Sequence, residues 1–155
     1  MDQTLPVTTV ANIIELAIAP VFLLAGIGGI LNVLAHRLAR VVDRARAVEA
    51  EYDGLEAEAR GRAVREMAIL DRRMAVVNHA ISACTASALF VCLVVAILFI
   101  ADFADIRFGR PIAVIFVVAM ALLIVGLILF LYEIRLAMRS LRERRKLHLR
   151  MDVRE

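Results

Sequence analysis

The chain has 155 residues, a formal net charge of +3 and 62% hydrophobic residues, against the ~45–50% usual for soluble domains. Its length suits one domain. The apolar excess lies in three stretches free of Asp, Glu, Lys and Arg, namely Leu16–Ala35, Met74–Ala101 and Pro111–Tyr132, each meeting the ~20 residues a helix needs to cross a hydrocarbon core. A soluble bundle is excluded, because such helices would have no polar face left for water.

Charge placement orients the spans. Of 19 basic residues, only Arg107 and Arg110 fall outside 37–73 and 135–154. The positive-inside rule puts those two stretches in the cytoplasm and the 102–110 connection outside. The expected protein is an all-α membrane protein with three transmembrane helices in the cytoplasmic membrane, N-terminus out and C-terminus in. Residues 1–12 form an external, irregular leader with Asp2 and no Lys or Arg. The first span therefore reads as an uncleaved anchor with its basic residues after it.

Transmembrane helix 1 occupies 13–35, with one acid, Glu15, near its outer end. Pro20 lies inside it, and its missing N–H predicts a kink or loosened turn. Ala25, Gly28 or Gly29, Asn32 and His36 follow helical spacing, a small and polar stripe of the kind that lets another helix approach in lipid. The helix then continues as an arm. Leu31, Leu34, Leu38, Val41, Ala45, Val48 and Tyr52 alternate spacings of three and four, a heptad seam.

Residues 36–73 are expected to form a cytoplasmic antiparallel coiled-coil hairpin extending the first two helices. Its turn falls at 53–54, with Gly54 suited to a left-handed helix end. Ala63, Met67, Leu70, Met74, Val77, Ile81 and Cys84 repeat the seam on the return arm. The arm from Arg37 to Tyr52 is long enough to reach ~24 Å. Nine basic and eight acidic residues over 36–73 suit a solvated surface and argue against nucleic acid, which selects one sign. Arg37, Arg40, Arg72 and Arg73, nearest the apolar stretches, are candidates to hold anionic lipid headgroups.

A turn at 53–54 opposes Gly28 and Gly29 to His79 and Asn78, and Ala25 to Ser82. The glycines are then expected to make room for these polar side chains. Transmembrane helix 2 occupies 74–101, small and polar in its first half. Its cysteines, Cys84 and Cys92, stand ~12 Å apart along a helix, too far for a disulfide. The external loop 102–110 is stopped by Gly109 and Pro111. Transmembrane helix 3, 111–132, reads as featureless and lipid-facing. Residues 133–155 form a basic cytoplasmic tail, helical on anionic lipid, and Glu133 is expected to pair with Arg37 or Arg135.

LAIAPVFLLAGIGGILNVLAHRLARVVDR, AISACTASALFVCLVVAILF and FLYEIRLA together resemble domain-of-unknown-function family 2721, small bacterial membrane proteins. The resemblance covers roughly 13–138. It implies a three-helix bacterial membrane protein and brings no catalytic residue or cofactor.

No GxSxG, P-loop, CxxC or HExxH occurs, so no catalysis, cofactor or metal is expected. His36, His79 and Glu133 offer metal-ligating atoms without motif spacing. Two functional classes remain. One is a homo-oligomeric assembly with ion-channel or transport activity lined by helix 1, Glu15 forming an external collar and Asn32 an inner polar ring. The other is a non-conducting scaffold whose hairpin binds a cytoplasmic protein partner.

Overall fold

The computed structural model describes residues 7–103 and 109–152, with side chains described for Glu15, 18–101 and 109–138. Three helices account for nearly all of it: α1, Val7–Tyr52; α2, Ala57–Phe103; and α3, Gly109–Asp152. Among the described residues, all three are long and apolar enough to cross a membrane. The most apolar 18-residue stretch of each has a mean hydropathy of 2.2, 2.7 and 3.3 in chain order.

Where elements begin and end departs in three places from the sequence reading. Helix α1 starts at Val7, inside the stretch expected to be irregular, and runs on as α-helix through the buried Pro20. Helix α3 starts at Gly109, so Pro111 lies in its first turn. There a missing N–H costs nothing, because first-turn amides have no intrahelical acceptor. The remaining loop, 104–108, lies outside the described residues. Gly54 does sit in the α1–α2 turn, but without the left-handed backbone expected of it. The turn closes instead through two amides: Gly54 N–H donates to the Glu51 carbonyl at 3.2 Å, and Leu55 N–H to that of Tyr52 at 3.3 Å. Arg60 braces it by donating to the Asp53 carbonyl at 3.3 Å and lying 5.9 Å from the Tyr52 ring centroid.

The chain divides into two compact units. The first comprises Met1–Val33 and Ser82–Val125. Ile27 of α1, Cys84, Ser87, Val91 and Val94 of α2, and Ala119 and Leu123 of α3 are its buried residues. Ser87 Oγ donates to the Ala119 carbonyl at 2.7 Å, so this buried hydroxyl is satisfied by backbone across two helices. The exterior is apolar instead, with Phe22, Leu89, Ile100, Val114 and Val117 all exposed. That suits a lipid solvent.

The second unit comprises Leu34–Ile81 and Gly126–Glu155. Val41 and Val48 from α1 and Ala63 and Leu70 from α2 form one apolar cluster, with Ala45, Tyr52, Leu55, Met67 and Met74 packed against it. The heptad seams read from sequence are the buried faces of both arms. Leu34, Val41, Val48, Ala63, Leu70 and Val77 are buried, and the residues between them in each seam are half-buried. Seven-residue spacing keeps one stripe facing the partner helix. Charge is left outside, as in the exposed Arg44, whose Nε donates to Glu66 Oε1 at 2.9 Å.

Candidate functional site

The three apolar stretches meet at one carboxylate. Arg37 follows the first stretch by two positions, Arg72 and Arg73 directly precede the second, and Tyr132-Glu133 closes the third. Glu133 is fully buried. Arg37 Nη1 donates to its Oε2 at 3.0 Å and Arg73 Nη2 to its Oε1 at 2.8 Å. One side chain of α3 thus holds an arginine from each of the other helices, all within the second unit. Charge-assisted bonds of this length are the strong ones, and a buried carboxylate requires them.

Neighbouring groups extend the cluster along α3. The Arg37 guanidinium lies 5.4 Å from the Phe130 ring centroid, within cation–π range. Arg72 Nη2 donates to Tyr132 Oη at 3.1 Å, at the exposed edge. Arg73 Nε is buried with no acceptor among the described residues. Two guanidinium cations face one carboxylate, so the triad keeps a net positive charge.

Glu133 was expected to pair with Arg37 or Arg135. The pairing to Arg37 forms, Arg73 supplies the second partner, and Arg135 is exposed. Two residues along a helix is a turn of ~200°, so Glu133 and Arg135 point in opposite directions. Arg40 is exposed too.

Glu15, Ala25, Gly28, Gly29, Asn32, Asn78, His79 and Ser82 are all exposed. A Cβ added at Gly28 or Gly29 would meet no atom within 4 Å beyond the helix's own neighbouring backbone. His79 turns back on its own helix, its Nδ1 lying 2.6 Å from the Ala75 carbonyl oxygen. Among the described residues, no three His, Cys, Asp or Glu side chains gather as a metal set.

Helix α3 carries more than its sequence suggested. Ala119, Leu123, Gly126 and Glu133 are buried, with Phe130 half-buried between them. These alternate spacings of four and three, a third seam that a uniformly apolar background hides. The small residues Ala119 and Gly126 were the available signal, and Ser87 was its counterpart on α2.

Three helices of this length and apolarity, joined by short connections, are the mark of a multi-pass, all-helical membrane protein. A family model described as "Protein of unknown function (DUF2721)" matches residues 17–143, and the chain belongs to that family. No curated protein and no solved structure gives a significant match.

Proposed function

We propose that the protein is embedded in the bacterial cytoplasmic membrane, N-terminus outside, and assembles with copies of itself, with α1 lining a path for ions. One observation carries this reading. The face of α1 opposite its buried seam exposes Ala25, Gly29, Asn32 and His36 at spacings of four, three and four. Among the described residues no hydrogen bond satisfies the Asn32 amide. An exposed amide on an apolar span is costly in lipid unless a helix or water meets it. Three helices enclose no water path by themselves, so a ring of copies is required. Glu15 would then stand at its outer mouth as a cation-attracting collar.

A scaffold reading draws on a second observation. The arms of α1 and α2 share the apolar cluster around Val41 and Leu70, which supports a cytoplasmic coiled-coil hairpin. Val64 and Ile69 remain exposed on the same arm. They offer an apolar foothold to a cytoplasmic protein partner.

Detergent purification with mass determination, followed by cation flux into liposomes, separates the two. A ring whose flux falls in Glu15→Gln supports conduction. A monomer, a dimer or a ring without flux leaves the scaffold.

A further inference from the structure

We propose that Arg72 and Tyr132 form a binding site for the phosphate of an anionic phospholipid, charged from behind by the Arg37–Glu133–Arg73 triad.

The argument begins with an imbalance of charge. Around the ends of the apolar stretches stand five arginines, Arg37, Arg40, Arg72, Arg73 and Arg135, against Asp71 and Glu133. Within the triad two guanidinium groups share one carboxylate. Glu133 is fully buried, so it fixes the arginines in place and neutralises only half their charge. The surplus favours an anion at the nearest exposed donors.

Those donors are present. Arg72 is exposed and uses Nη2 on Tyr132 Oη. A guanidinium carries five N–H groups in a planar fork that matches phosphate. Tyr132 is exposed, and because its oxygen accepts from Arg72 its own proton is left to donate. Tyr132 and Glu133 are consecutive, as are Arg72 and Arg73, so the exposed pair is tied directly to the buried one. A phospholipid is the source the placement selects. Arg72 lies two positions before an apolar span and Tyr132 is the last residue of another, the depth at which a lipid phosphate sits. In this arrangement Glu133 is a positioning residue and touches no lipid.

The proposal rests on the membrane-embedded reading but not on assembly or conduction. Native mass spectrometry of the full chain tests it, with phosphatidylglycerol and phosphatidylcholine of matched acyl chains as probes. Glycerol phosphate and inorganic phosphate are added as water-soluble competitors. Wild type should retain phosphatidylglycerol preferentially. Arg72→Gln should lower that retention roughly fivefold and Tyr132→Phe should lower it as well, whereas Arg44→Gln should not change it. The last variant removes the same charge from an exposed arm position already paired to Glu66. Equal losses in Arg72→Gln and Arg44→Gln would reduce the effect to net charge and overturn the site. So would unchanged retention in both Arg72→Gln and Tyr132→Phe, or full displacement by inorganic phosphate at low concentration. Extraction of the wild-type chain from bilayers by alkaline carbonate would overturn the membrane reading too. A chain that resists extraction yet shows no headgroup preference defeats the lipid site alone.

Discussion

Arg73 of α2 donates across 2.8 Å to Glu133 of α3, whose other carboxylate oxygen is taken by Arg37 of α1. Removing one member of a buried ion pair strands its partners and costs about 3–5 kcal/mol, whereas apolar replacement of the whole set is often neutral. We therefore predict that Glu133→Ala destabilises the folded chain by about that amount. Joint replacement of Arg37, Glu133 and Arg73 by Met, Leu and Met should recover most of the loss. Arg44→Ala, at an exposed pair, should cost only about 0.2–1 kcal/mol. Unfolding in detergent micelles, followed by helical signal, measures all three. Equal costs for Glu133→Ala and Arg44→Ala would contradict a triad that holds the helices together.

The arm cluster makes a separate prediction. Leu70 is buried against Val41, Val48 and Ala63, and deleting such a side chain costs about 2–5 kcal/mol through lost transfer energy and residual cavity. Val64, a few residues earlier on the same helix, is 51% exposed. Leu70→Ala should loosen the α1–α2 arms, read as faster protease cleavage near residues 53–56. Val64→Ala should leave cleavage unchanged, since exposed sites seldom shift stability beyond about 0.5 kcal/mol.

These two sites also show what is legible in the sequence. The seams through Leu34, Val41 and Val48, and through Ala63, Leu70 and Val77, stand out because charged residues fill the remaining arm positions. Periodicity therefore has contrast. Inside the apolar stretches contrast disappears, and the α3 face through Ala119, Leu123 and Gly126 reads as featureless. The carboxylate at Glu133 was conspicuous beside so many arginines, but choosing Arg73 over Arg135 required knowing which way α3 faces. Counting from the turn sets the height at which residues lie along paired helices, whereas the seam decides which side they face. Gly28 and Gly29 lie outside the seam.

Gly54 provides a test of local conformation. Its backbone is not left-handed, and an added Cβ would lie 3.8 Å from the Glu51 carbonyl oxygen, an ordinary contact. Gly54→Ala should therefore be accommodated and should stabilise by about 0.4–1 kcal/mol through a less disordered unfolded chain. A loss of more than about 1 kcal/mol on the same unfolding assay would mean that the turn needs glycine's freedom after all.

Gly29 tests the proposed assembly. It lies on the exposed side of α1, and an added Cβ would meet no atom within 4 Å beyond the helix's own neighbouring backbone. Gly29→Leu should therefore leave helical content and the protease-resistant arms intact. Between copies the same change should be severe, because close approach of helices in lipid depends on small residues at the contact. We predict that the assembled mass in detergent falls toward that of the 17.1 kDa chain, as read by light scattering with the detergent contribution subtracted. Val21→Leu, an exposed position on the same helix that already carries a side chain, should leave the mass unchanged. If Gly29→Leu keeps the wild-type mass, copies do not meet on this face and α1 does not line a shared path. If the variant unfolds, the space beside Gly29 is filled within the protomer.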